Sequence, residues 1–149
     1  MRLSCRGRYA TRAMIELALH HGKGPLPLNN IAQNEGISKK YLNQLMGPLE
    51  LAGLVRVVRG KNGGFLLART PAEITLGDIL YAVEGDMSLL DCVKNSKLCY
   101  RSEECFSRST WVELSQLINN YLRATTLSDI LKKAILVQAS DSGKEAIGK

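Results

Sequence analysis

Nowhere in the 149 residues does an apolar run approach the roughly 20 residues that a membrane span needs, which excludes a spanning segment. The opening stretch, MRLSCRGRYATR, is charged and lacks the continuous apolar core of a secretory signal, so the sequence predicts a cytoplasmic protein. No long low-complexity segment is present either. Also missing are a Cys-x-x-Cys pair, a Gly-rich nucleotide loop followed by Lys and Ser or Thr, and the helix motif of zinc proteases. An enzyme, such as a thiol oxidoreductase working through Cys99 or Cys105, is therefore a remote alternative and the chain is expected not to be one. Acids are scarce in the first half: residues 1–70 carry eleven Lys or Arg against three acids, while residues 71–149 carry nine against eleven. A half with a balance of +8 calls for a polyanion.

The length suits one domain, or a small domain with an oligomerisation element. Tyr9, Ala10, Ala13, Met14, Leu17 and Ala18 recur at helical spacing, and the GKGP that follows stops this first helix. A second helix is predicted over 28–35. Gly36 then turns the chain, and Ser38 caps a third helix that begins at Lys39 and buries Leu42, Leu45, Met46, Leu49 and Ala52. Pro48 lacks the donor that would bond Gln44, so a kink or an early end is expected there. The period then changes: VRVV at 55–58 and FLLA at 65–68 read as strands joined by a basic, Gly-rich tip, RGKNGG. A fourth helix, 76–84, is expected against that hairpin. These elements predict a mainly α chain with a small β-hairpin wing, a winged helix-turn-helix over 1–84.

In such a fold the second helix of the pair enters the major groove. Its candidate reading residues are Ser38, Lys39, Lys40, Tyr41, Asn43 and Gln44: the two amides match the N6 and N7 edge of adenine, Lys40 suits guanine or phosphate, and Tyr41 suits phosphate. At the hairpin tip Arg59 can enter a minor groove, while Gly60, Gly63 and Gly64 allow close backbone approach. Any one of these is equally consistent with a solvated polar position or simple turn chemistry. Trp111, Leu114, Leu117, Ile118, Tyr121 and Leu122 stripe a long helix ending near Arg123. Packing onto its own domain is one reading. Pairing with a second copy is preferred, since DNA readers commonly bind paired half-sites as dimers. A last helix is expected over 128–137, completing a dimerisation unit at 107–137, with 138–149 as a disordered tail. His20 and His21 read as structural residues at a helix C-terminus.

Three of the four cysteines fall within CVKNSKLCYRSEEC, residues 92–105, in a polar loop spanning 85–106. Thiols in a reducing compartment favour metal binding or redox chemistry over disulfides. The spacing is Cys92, six residues, Cys99, five residues, Cys105, which names no metal by itself. Lys94, Lys97 and Arg101 lie between the thiols and favour thiolate. Spacing alone weighs unligated cysteines and a metal site equally.

The stretches MRLSCRGRYATRAMIELAL, IAQNEGISKKYLNQLMGPLELAGLVRVVRGKNGGFLLAR and ITLGDILYAVEG, followed by three spaced cysteines and a Trp on a long helix, resemble the Rrf2 family of bacterial winged-helix regulators. The likeness covers roughly residues 1–135 and is strongest to the IscR-like, iron-sulfur branch. It implies a homodimer crossed by the long helix, promoter DNA held by 28–51 and the wing at 59–64, and a 2Fe-2S cluster on Cys92, Cys99 and Cys105 as sensor. In that branch a histidine three residues after the third cysteine completes the ligand set. Here that place holds Arg108, which stays protonated and cannot ligate. Other cluster-binding branches take a carboxylate from the partner subunit's first helix. The matching place here is Arg8, with Cys5 one turn earlier, so Cys5 of the partner subunit is a candidate fourth ligand beside the reading of a spare thiol. Glu103 and Glu104 are further candidates. The alternative is a neighbouring, CymR-like branch: a cluster-free, thiol-controlled repressor of sulfur metabolism with a metabolic enzyme as co-repressor.

Overall fold

The computed structural model describes residues 4–142, with side-chain burial given through residue 136. Its helices are α1 (Cys5–Leu19), α2 (Leu28–Glu35), α3 (Lys39–Leu51), α4 (Leu76–Glu84), the single-turn α5 (Asp91–Lys94), α6 (Arg108–Ala124) and α7 (Leu127–Ser142). Strands β1 (Val55–Val58) and β2 (Gly64–Leu67) separate α3 from α4. This is the expected mainly α architecture with a two-stranded wing.

The helix ends follow local chemistry. Ser4 caps α1 by accepting from the Arg6 amide, and α4 starts with a reciprocal box in which Thr75 and Asp78 satisfy each other's backbone donors. Gly36 ends α2 in the left-handed conformation at φ 61°, which a residue bearing Cβ resists.

The hairpin is antiparallel, with Val55 opposite Leu67 and Val58 opposite Gly64, one residue earlier on the second strand than expected. A third backbone segment joins it: Leu26 exchanges two 2.9 Å hydrogen bonds with Phe65, so the wing is tied to the segment before α2.

One core unites these pieces. Ala10, Ala13, Met14, Ile31, Leu42, Leu49, Ile74 and Ile79 are all essentially inaccessible. Helix α4 packs chiefly on α1, then on α3 and α6, and not principally against the wing as its sequence position suggested. The terminal helix also returns to the winged domain: α7 packs on α1, and Leu127 belongs to the common core. Its backbone stays helical to Ser142, into the segment expected as a tail, and residues 143–149 lie outside the described residues.

Helix α3 runs unbroken through Pro48 to Leu51, so the expected early end is absent. Pro48 removes one backbone bond and crowds the residue before it, but that residue is Gly47, which has no Cβ to clash with the ring. The buried Leu45, Met46 and Leu49 hold both sides of the lesion to the core.

Candidate nucleic-acid interface and cysteine loop

The turn between α2 and α3 sets the reading face. Ser38 Oγ accepts from the Tyr41 amide at 3.2 Å, fixing the first turn of α3. With Leu42, Leu45, Met46 and Leu49 inward, Lys39, Lys40, Asn43 and Gln44 project to solvent from one face. Among the described residues the ion pairs are Arg12–Glu35 and Lys94–Asp86, so neither Lys39 nor Lys40 is neutralised by a carboxylate. Tyr41 is different: it is half-buried, and its ring meets Tyr9 of α1 edge-on at 5.9 Å. The same Tyr9 ring lies within 5.9 Å of the Arg8 guanidinium and 5.7 Å of that of Arg12. Arg12 also bonds Glu35 Oε2 at 2.5 Å and the Glu35 carbonyl, pinning the end of α2 to α1. The sequence reading did not find this lock, because its partners are 23 residues apart.

Arg59, Gly60 and Lys61 are exposed at the hairpin tip. The two following glycines have an internal reason to be glycine. A Cβ on Gly63 would sit 2.2 Å from the Val58 carbonyl, and one on Gly64 would sit 2.4 Å from that of Leu26. The wing is built on these close approaches, whatever the glycines meet outside the chain.

The cysteine loop is more structured than its composition suggested. Cys92 lies on α5, Cys99 follows a 3-10 turn at Ser96–Leu98, and Cys105 stands just before α6; all three are half-exposed. Two ties bracket α5. Lys94 Nζ reaches Asp86 at 2.8 Å, holding the Asp86 carboxyl down to about 2, and Arg108 Nε donates to the Cys92 carbonyl at 3.2 Å. The Ser107 hydroxyl, 3.4 Å from Cys105 Sγ, together with the Ser107 amide, lowers the Cys105 thiol below its ordinary value. Cys5 is exposed on the first turn of α1, with Arg8 Nη2 at 3.9 Å from its Sγ.

Three half-exposed thiols among Lys and Arg are suitable donors for a cluster, but the structure does not assemble them. Among the described residues no group of three His, Cys, Asp or Glu side chains could hold a metal ion. Arg108, at the place of the branch's fourth ligand, is occupied with a backbone carbonyl. The three thiols supply the donor chemistry of a cluster, but within one chain they stand apart and lack a fourth donor, so a cluster there needs the loop to gather them and a further ligand.

Helix α6 divides its apolar residues. Leu122 is buried and Ile118 half-buried, with α4 as the packed neighbour, and Tyr81 of α4 donates to Asn119 Oδ1 at 2.7 Å. Leu117 and Tyr121, 66% and 59% accessible, stand on the flank away from α4, where Lys133 Nζ lies 5.8 Å from the Tyr121 ring, while Trp111 and Leu114 are partly covered and line a groove with Leu89 and Leu90. One turn on, at the C-terminal end of α4, Glu84 Oε1 accepts from the Gly7 amide at 2.8 Å and from the Ser4 hydroxyl. No helix among the described residues is long and apolar enough to cross a membrane.

A family model described as Rrf2, iron-dependent transcriptional regulator, matches residues 3–133. The HTH-type transcriptional regulator IscR of Serratia proteamaculans is 36% identical over 141 residues, 95% of this chain and 85% of the relative. The HTH-type transcriptional regulator CymR of Bacillus subtilis is 40% identical over 130 residues, 87% and 89% of the two chains. Its solved structure, described as the global cysteine regulator, matches at a TM-score of 0.76 with 37% identity, covering 89% of this chain and 98% of that one. The structure of T. potens IscR matches at 0.73 with 37% identity, covering 90% and 88%. The two kinds of regulator are thus similar to this chain to nearly the same degree.

Proposed function

The chain belongs to the Rrf2 family of transcriptional regulators, and from that membership we propose that it is a dimeric, cytoplasmic, promoter-binding protein whose grip on DNA is set by chemistry at the thiols of its 85–106 loop. The observation that carries the DNA part is the exposed, unneutralised face of α3, with Lys39, Lys40, Asn43 and Gln44, standing with Arg59 on the basic half of the chain. In this reading Ser38 and Tyr41 position the helix, and Gly60, Gly63 and Gly64 shape the wing. Two copies pair through the exposed side of α6 and present two reading helices to half-sites about 34 Å apart. Steep loss of affinity with salt tests the phosphate contacts.

The effector divides into two readings. The first is an iron-sulfur cluster, 2Fe-2S, on Cys92, Cys99 and Cys105, supported by the donor chemistry, the family description and the IscR relatives. Its fourth ligand is then Cys5 of a second copy or a loop carboxylate, Glu103 or Glu104. The second is metal-free thiol control, with or without an enzyme co-repressor. It is favoured by Arg108 at the fourth place, by thiols that do not converge, and by the equal likeness to CymR.

Visible absorption, with iron and acid-labile sulfide content, of protein purified without oxygen separates the two. Colour and stoichiometric iron are the cluster outcome; a colourless, iron-free protein that still binds its promoter leaves the thiol reading. If coloured protein keeps its spectrum after Cys5→Ser, Cys5 is removed from the ligand set.

A further inference from the structure

We propose that Glu84 is the positioning residue through which the state of the cysteine loop reaches the DNA-reading domain. The inference rests on the loop-control reading above and adds the route by which control travels.

Glu84 is the last residue of α4, and the next residue, Gly85, with φ 79°, opens the loop. Its carboxylate closes the start of α1 by accepting from the Gly7 amide at 2.8 Å and from the Ser4 hydroxyl, across 77 and 80 residues of sequence. A carboxylate there satisfies donors that no residue within the helix can reach, and it complements the positive end of the helix dipole. Placement of α1 therefore depends on where the end of α4 stands.

The loop is fastened to the same point. Asp86, two residues on, is paired with Lys94 at 2.8 Å, and α5, which carries Cys92, is held from the other side by Arg108 of α6. Met87 lines an apolar groove of about 480 Å³ together with Arg8 and Thr11 of α1 and Ile118 of α6, so the loop stem shares one groove with α1 and α6. A change at the thiols that displaces α5 acts on Asp86 and hence on a carboxylate two residues away. From α1 the path to the reading face is short. Arg12 pins Glu35 at the end of α2, and Tyr9 meets Tyr41 on α3. Glu84 is the one contact in this chain of contacts whose loss frees the first turn of α1 while leaving both the loop and the reading face intact.

The test uses the full-length, metal-free chain with Cys5 replaced by Ser, so that only loop thiols react, and compares DNA affinity of reduced protein with protein alkylated by N-ethylmaleimide. The probe is a duplex selected in vitro by the reduced protein. The expected ratio of affinities is about tenfold in the Glu84 protein and close to one in Glu84→Ala, which has no acceptor for the Gly7 amide and whose reduced form still binds. A ratio that survives Glu84→Ala overturns the proposal while leaving loop control standing; a ratio of one with Glu84 present overturns loop control and the proposal together. Should Glu84→Ala fold poorly, amide exchange in the Glu84 protein decides. Alkylation should accelerate exchange at the amides of Arg6 and Gly7, and unchanged exchange there, alongside a changed DNA affinity, overturns the route.

Discussion

Arg108 Nε donates to the carbonyl oxygen of Cys92 at 3.2 Å, tying the single turn that bears the first loop thiol to the start of the long helix. A permanently charged, five-donor side chain cannot ligate iron, but it can serve as a strut without any metal. Arg108→Ala should therefore raise the alkylation rate of Cys92 several-fold in metal-free protein, with little change in the thermal midpoint of the winged domain. Arg108→His removes the strut and supplies an imidazole; under the cluster reading it should raise iron content after anaerobic reconstitution. Cys92 reactivity that ignores Arg108→Ala would show that the contact holds nothing.

Cys105 should ionise below the ordinary thiol range. The hydroxyl and amide of Ser107 stabilise its thiolate, so its folded-state pKa lies below the ordinary thiol value and a larger fraction is reactive at a given pH below it. Alkylation rate against pH, followed at Cys105 by mass spectrometry of metal-free protein, should show its midpoint shifted down. Ser107→Ala removes the hydroxyl and should move that midpoint upward and slow the reaction near neutrality. An unmoved midpoint would mean that the hydroxyl does not stabilise the thiolate.

Gly64→Ala should be among the more damaging single-methyl changes available. The new Cβ meets the Leu26 carbonyl 2.4 Å away, and both backbones are held by the paired hydrogen bonds between Leu26 and Phe65. A loss of about 2 kcal/mol or more in urea unfolding is expected, as for other steric lesions at constrained backbone sites. A change at exposed Lys61 should stay within about 0.5 kcal/mol.

On α6 the prediction separates association from folding. Leu117→Lys with Tyr121→Lys changes two side chains that are 66% and 59% accessible in the single chain, so the chain should fold but sediment as a monomer. Affinity for a duplex with two half-sites should then fall toward that for one half-site. A double variant that stays dimeric assigns pairing to another surface.

Substitutions on the reading face should sort by chemistry. Lys39→Ala and Lys40→Ala, if each removes one phosphate contact, should reduce the slope of log affinity on log salt by about one apiece. Asn43→Ala or Gln44→Ala should instead cost about 1–3 kcal/mol at one base position and relax selectivity there. Arg59→Ala should weaken binding most to sites with a narrow minor groove.

The helices that shape the reading face were legible in sequence because their signals are local. Apolar spacing within 9–18 and 42–49, Ser38 as a cap and Gly36 as a stop each act over one or two turns of chain. Of the kink or early end expected at Pro48, the early end is absent, since that half of the expectation weighed the ring and not the missing Cβ of Gly47 before it or the core contacts around it. The strand pair was legible to within one residue, but its third member was not: a single bridging residue, Leu26, carries no periodicity.

By itself the sequence determined a basic winged helix-turn-helix and a separate, thiol-bearing polar loop, because charge, spacing and composition are properties of the chain alone. The tertiary structure decided what joins them. Only folding brings Glu84 to Gly7 and Arg12 to Glu35, sets Tyr9 against Tyr41, turns Arg108 onto the Cys92 carbonyl, and buries one flank of α6 while leaving the other exposed. Those contacts join elements distant along the chain, so their partners are chosen by packing of the common core and by no local pattern.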